Sequence, residues 1–202
     1  MFDWPYILDY WFGELDPQGL PDSSHRRFWF NASRRDDQVM RRRFFTLVLL
    51  ASEGSLSHWR SEPGGALAEI LLLDQFSRNI HRRTFMAFRN DPLALELARE
   101  GVSLARDVPL PLIQRAFFYM PYQHSESLPV QKEGLDLYHQ LTQTAREGPL
   151  RELLDSFRRS AQQHHDIIAR FGRFPHRNRV LKRPSSADEK AWLEEGGAAF
   201  GQ

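Results

Sequence analysis

The chain has 202 residues, 41% of them hydrophobic and 26% charged, which is enough to close one core and excludes a disordered chain. With 27 basic and 26 acidic side chains the net charge is +1, so no global field draws the protein to nucleic acid or to a membrane surface. There is no cysteine, which excludes disulfides, thiolate metal sites and cysteine nucleophiles. The start, Met1-Phe2-Asp3-Trp4-Pro5, lacks the basic-then-apolar order of a signal peptide. The longest apolar stretches, 44–51 and 70–73, fall far short of the ~20 residues that span a bilayer. These features predict a cytoplasmic globular protein.

The apolar period is helical almost throughout. Asp3 caps a first predicted helix through Ile7, Leu8, Tyr10 and Trp11, with Gly13 beyond its end. Residues 15–24 read as a loop and 25–30 as a short aromatic segment. Asp36 or Asp37 opens a long helix with the stripe Met40, Phe44, Leu47, Val48 and Ala51, ended by Gly54. Ser61-Glu62-Pro63 opens the next, whose stripe reads Leu67, Ile70, Leu71 and then Asp74. A short turn follows Thr84, around Phe85 and Phe88.

Asp91-Pro92 reads as a capping carboxylate with proline at the first helical position. The helix it opens carries the small row Ala94, Ala98, Gly101 and Ala105. Pro111 starts a helix through Ile113, Phe117 and Phe118, stopped by Pro121. Ser127 precedes another, with Val130, Leu137, Tyr138, Leu141 and Ala145. Gly148-Pro149 opens the longest helix, whose face holds Leu150, Leu153, Leu154, Phe157, Ala161, His164, Ile168 and Phe171, and Gly172 stops it. Ser186 and Glu189 form a capping box for a last short helix through Trp192 and Leu193. No segment alternates with period two, so the prediction is an all-α single domain over 1–202, a stack of about 8–10 helices with frayed ends at 1–2 and 197–202.

Three places put polar chemistry where apolar residues are expected. Asp74 lies on the core stripe, where a carboxylate is costly unless paired, and suits either a structural clamp or a ligand contact. His164 lies on the stripe of the longest helix, where both ring nitrogens need partners, and Asp74 is one of few suitable buried acids. Pro121-Tyr122-Gln123-His124-Ser125-Glu126 is either a capping loop or a set of donors to a pocket.

These same residues carry a resemblance. Residues 70–80 (ILLLDQFSRNI), 115–126 (RAFFYMPYQHSE) and 164–178 (HHDIIARFGRFPHRN) resemble, in order, the signature of the bacterial "domain of unknown function 924" family, and the likeness runs from Trp11-Phe12 to Trp192-Leu193. It implies a helical fold similar to tetratricopeptide-repeat superhelices, although no 34-residue period is visible. It implies no activity. Family members usually carry proline where this chain has Ser77, which predicts a looser kink before Arg78, and Gln123 stands where an apolar residue is common.

The leading expectation is one polar pocket that binds a small anionic ligand, a phosphate or a carboxylate. Asp74, Arg78, Asn79, Arg115, Ser125, Arg173, His176 and Arg177 are its candidate ligand-binding residues, with Arg78, Arg173 and Arg177 gripping the anion. His124, Glu126 and His164 are the candidate catalytic residues. Two histidines and two carboxylates suit a metal, but no paired-histidine spacing supports one; no metal is assigned and the cofactor is unknown. Nothing resembles a phosphate-binding glycine loop or a nucleophile elbow. The alternative is a scaffold that binds a peptide or protein partner in a groove. Nucleic acid is disfavoured: Arg26, Arg27, Arg34, Arg35, Arg41, Arg42 and Arg43 form a basic run with Phe28, Trp29 and Phe30 interleaved, but Asp36 and Asp37 interrupt it. A buried network that only fixes helix packing is the remaining reading, and exposed Trp4, Trp11 or Phe88 would serve self-association.

Overall fold

The computed structural model describes residues 3–198 and 200. Eleven α-helical segments are present among them: α1 (Trp4–Phe12), α2 (Ser23–Asn31), α3 (Arg34–Ser52), α4 (Pro63–Leu71), α5 (Ser77–Ile80), α6 (Asp91–Ser103), α7 (Leu112–Phe118), α8 (Met120–His124), α9 (Leu128–Thr144), α10 (Pro149–Phe171) and α11 (Ala187–Glu194). No strand occurs among the described residues, so the all-α expectation holds. Of the ends expected to fray, Met1, Phe2, Ala199, Gly201 and Gln202 lie outside the described residues.

Local signals fix most of these helices. Asp3 accepts from Trp4 N–H, and the Ser186–Glu189 capping box closes as expected. Gly172 takes the left-handed conformation (φ 69°) that ends α10. The long helix opens two or three residues earlier than expected, because Ser33 is its cap and Asp36 completes a capping box from the third position. The aromatic segment at 25–30 is itself helical, since Asp22 caps α2 through Ser24 and His25 N–H.

Three expectations are corrected. Pro121 does not stop the chain: the helix breaks at Tyr119, and Pro121 sits in the first turn of α8, where its missing N–H costs nothing. Asp91 does not cap α6; its carboxylate turns inward to two arginines. Ala94, Ala98 and Gly101 are buried, and a Cβ on Gly101 would lie 2.4 Å from Phe118 Cζ, but Ala105 lies past the helix end, exposed, at φ 54°.

The main core draws on α1, α3, α4, α6, α7, α9 and α10. Its centre is aromatic: the rings of Trp11 and Phe117 stand 5.6 Å apart, Trp29 and Phe117 4.6 Å, and Phe44 and Phe76 5.0 Å, all edge-on. Such pairs contribute about 0.5–1.5 kcal/mol each beyond the area they bury. Trp29 also donates to Trp11 O at 2.7 Å, which docks α2 onto α1. Of the proposed stacking residues, Phe28 and Trp29 are thus packed against the core and only Phe30 is exposed. Trp11 and Phe88 are buried as well, and Trp4 packs on Gly64, so none of the three offers a free surface for self-association. The α9–α10 pair forms the most extensive helix contact, joined by a four-residue turn at 145–148.

Two irregularities position the polar residues. Between α4 and α5 the helix widens into a π turn, Leu72–Phe76, which carries Asp74. The kink is not loosened by Ser77: its hydroxyl donates to Leu72 O (3.2 Å) and accepts from Asn90 Nδ2 (3.1 Å), and Asn90 also donates to Ser52 Oγ (2.9 Å). The hydroxyl thereby ties the kink to the start of α6 and the end of α3. The second irregularity, the break at Tyr119, turns α8 so that His124 at its end meets the π turn.

Candidate functional site

Asp74 is fully buried and accepts from His124 Nδ1 (2.6 Å), Gln75 Nε2 (2.5 Å) and Arg78 Nη2 (3.3 Å). Burial would raise its pKa, but the His124 ring and the Arg78 guanidinium overcome that and hold it below the usual carboxylate range. An ionised carboxylate only accepts, so Nδ1 of His124 carries the proton and Nε2 has the free lone pair. Burial, helped by Arg78, pushes the His124 pKa down against the opposing pull of Asp74, which keeps the ring neutral at neutral pH. The result is an oriented imidazole base.

His164 of α10 stands beside it, with ring centroids 5.8 Å apart. Its Nδ1 meets Ser160 O at 2.8 Å, which again leaves Nε2 as the free acceptor. Burial drives its pKa well below the ordinary value. Both rings line a cleft of about 990 Å³, together with Asn79, Gln75, Gln123 and Ser160.

Behind the cleft lies a charged clamp. Asp91 accepts from Arg78 Nη2 (2.9 Å) and Arg177 Nη1 (3.1 Å), and Arg177 Nη2 donates to His124 O (3.0 Å). Both guanidiniums stack on Phe88, at 5.3 and 4.6 Å, and Arg177 also stacks on Phe174 at 4.4 Å. Burial and the nearby Arg78 lower the Arg177 pKa to about 10, so it stays charged. The clamp therefore fixes the backbone of His124 and the side chain of Asp74 at once.

The other candidates are placed elsewhere. Glu126 accepts from Phe174 N–H (2.8 Å) and from both Arg183 Nη1 (2.6 Å) and Nη2 (2.9 Å), and so anchors the segment after α10. Ser125 Oγ accepts from Ser127 N–H at 3.3 Å, a turn-capping contact. Ser125, Glu126, Asp91 and Arg177 open on a smaller cavity of about 440 Å³ on the other side of His124. Arg173 forks onto Glu189 (2.6 and 2.8 Å) and donates to Pro184 O. Arg115 joins Asp107 (3.2 Å) and Tyr119 (3.1 Å) in a separate buried network. His176 lines a third cavity of about 420 Å³, and its Nδ1 is buried without a partner among the described residues. Among the described residues no group of three or more side chains has a metal-binding arrangement.

Residues 7–197 match the family described as "Bacterial protein of unknown function (DUF924)". The chain belongs to this family. A solved structure, that of the protein of unknown function ATU0120 from Agrobacterium tumefaciens, is similar to it at 33% identity, covering 96% of this chain and 97% of that one, with a TM-score of 0.80. No curated protein matches the chain. Among the described residues, no helix of this DUF924 protein is long and apolar enough to cross a membrane.

The mouth of the DUF924 cleft was not legible from motifs. Arg82 forks onto Asp37 (2.8 and 3.1 Å), joining the loop after α5 to the first turn of α3. Arg34 and Arg83, which flank that pair in sequence, line the cleft and form no ion pair among the described residues. Arg83 holds a left-handed φ of 64°, a strained conformation for a side chain without a local hydrogen bond. Phe30 and Phe200 add aromatic surface. The sequence marked Arg34 only as part of a basic run, and it gave no signal for Arg83 or Phe200.

Proposed function

We propose that the cleft binds a small anionic molecule and that His124, held by Asp74, exchanges a proton with it. The observation that carries this reading is the buried Asp74–His124 hydrogen bond of 2.6 Å, which leaves Nε2 unprotonated on the wall of a cleft. A carboxylate behind an imidazole fixes its tautomer and stabilises the imidazolium formed when it takes a proton, which is the arrangement a general base needs. His164 offers a second free acceptor beside it, and the Asn79 amide adds both donor and acceptor.

The grip on the anion moves from the residues first expected to hold it. Arg78 and Arg177 are neutralised by Asp91 and Asp74, and Arg173 by Glu189. Arg34 and Arg83 at the mouth form no ion pair among the described residues, and their guanidiniums suit a phosphate or carboxylate on the incoming molecule.

The test is thermal stabilisation of the native chain by a panel of phosphorylated and carboxylated metabolites, repeated on Arg34→Ala/Arg83→Ala and on His124→Gln. The expected result is a shift with at least one compound that is lost in the double arginine variant. His124→Gln is expected to retain binding and lose turnover of that compound. No shift across the panel, or an equal shift in the arginine variant, would overturn the reading. A shift produced only by peptides would favour the scaffold alternative.

A further inference from the structure

We infer that the His164 side of this cleft is a seat for a planar ring, held in the free protein by the ring of Phe200. The inference rests on the ligand-binding reading above and narrows its ligand to an aryl or heteroaryl anion, a flat ring that carries a phosphate or carboxylate.

The contact itself is specific. The Phe200 ring lies on the imidazole of His164 with centroids 3.8 Å apart and planes at 23°, a stack rather than an edge contact. The ring edges toward Phe174 (6.5 Å, 80°) and His176 (5.6 Å, 68°), and Phe174 in turn meets His164 edge-on at 5.5 Å. Three aromatic side chains therefore form the walls of a slot, and Phe200 is the flat body inside it.

The stack does not depend on a charge. His164 gives its Nδ1 proton to Ser160 O and is neutral, so the attraction is the face-to-face dispersion that any planar ring supplies. The backbone does not favour the position either, because Phe200 takes a φ of 47°, unfavourable for a residue with a Cβ. The ring contacts with His164, Phe174 and His176 offset that cost. Phe200 lies outside the main core, at the edge of the small cluster of Ile167, Ile168 and Phe174, so its removal leaves the fold intact.

An incoming ring that takes the place of Phe200 sits on the wall shared with His124. The imidazole that this ring would lie on is 5.8 Å from that of His124, so a substituent on the ring can extend toward His124. The cleft then extends from that point to Arg34 and Arg83. Ring seat, imidazole and free guanidiniums thus line one cleft, and the chain's own aromatic ring competes for the seat.

The experiment compares the native chain with Phe200→Ala and Phe200→Leu, using phenyl phosphate, cyclohexyl phosphate, benzyl alcohol and inorganic phosphate as probes. The imidazole C–H resonances of His164 are expected upfield in the native chain through the ring current of Phe200, and shifted downfield in both variants. Phenyl phosphate should restore the upfield position and cyclohexyl phosphate should not. By calorimetry, phenyl phosphate should bind Phe200→Ala about two- to tenfold more tightly than the native chain, the fold-change equivalent to one aromatic pair.

Equal affinity of the two organic phosphates for Phe200→Ala, or no change on removing the ring, overturns the ring seat. If inorganic phosphate still binds in that case, the anion site stands alone. Benzyl alcohol binding as well as phenyl phosphate keeps the ring seat and overturns the anion site. No binding by any probe overturns both. A phenylalanine-containing tetrapeptide that displaces phenyl phosphate at lower concentration assigns the slot to a peptide and overturns the small-molecule class.

Discussion

Acidification from pH 7.5 to pH 5 should destabilise this protein through its buried imidazoles. His176 sets the scale of the effect. Burial, reinforced by Arg177 and Arg78 and only partly opposed by Glu126, lowers its pKa from the ordinary 6.5 to about 3. The folded chain refuses a proton that the unfolded chain accepts. No stability is lost above pH 6.5, and it is lost progressively as pH falls from 6.5 toward 3. At pH 5 the unfolded state has gained about 1.5 pH units of protonation free energy that the folded state has not, or about 2 kcal/mol from this one ring. His81, His124 and His164 are shifted in the same direction, each chiefly by burial, and add to the loss. Asp74, Glu126 and Glu189 are held below their ordinary values, so they remain ionised in this window and do not offset it. Urea unfolding at the two pH values measures the difference in the native chain and in His176→Gln. The variant should lose about 2 kcal/mol less than the native chain between pH 7.5 and pH 5. An equal loss in the two proteins, or a native chain that is no less stable at pH 5, would show that His176 takes up its proton in the folded state and that the burial argument is wrong.

Asp74→Asn removes the charge from three buried hydrogen bonds and leaves Asp91 as the remaining carboxylate on Arg78; it should cost about 3–5 kcal/mol in chemical denaturation, and a neutral result would contradict the pairing. Glu126→Gln weakens its contacts with Arg183 and with Phe174 N–H; a loss of about 1–3 kcal/mol is expected, with faster hydrogen exchange at the Phe174 amide, and unchanged exchange there would refute the anchoring role. Gly65→Ala places a Cβ 2.1 Å from Trp59 O, a backbone atom that cannot swing away, whereas a Cβ at Gly54 meets nothing within 4 Å and carries only the strain of a φ of 72°. Thermal melts should show Gly65→Ala to be the more destabilised of the two, and the reverse order would mean that the helix start at Pro63 shifts freely.

What the sequence determined by itself is whatever depends on neighbours a few residues apart. Helical period, the Ser186–Glu189 box, the stop at Gly172 and the placement of Asp74 and His164 on apolar stripes are all local, because a helix repeats every 3.6 residues and its caps act within one turn. The same logic marked His124 and Asp74 as anomalies but offered Asp74 to His164, which bonds Ser160 O instead, while Asp74 takes His124. The tertiary structure decided which opposite charges meet. Arg177 and Asp91 are 86 positions apart and Glu126 and Arg183 57 apart, and no spacing rule links residues across such distances. It also placed Arg173 on Glu189 and Arg115 on Asp107, leaving Arg34 and Arg83 to face the cleft. The π turn and the break at Tyr119 are small departures in helical geometry, and they bring the Asp74 carboxylate to the His124 imidazole. A buried charge reveals in sequence that it needs a partner; only the packing of distant helices settles which one it gets.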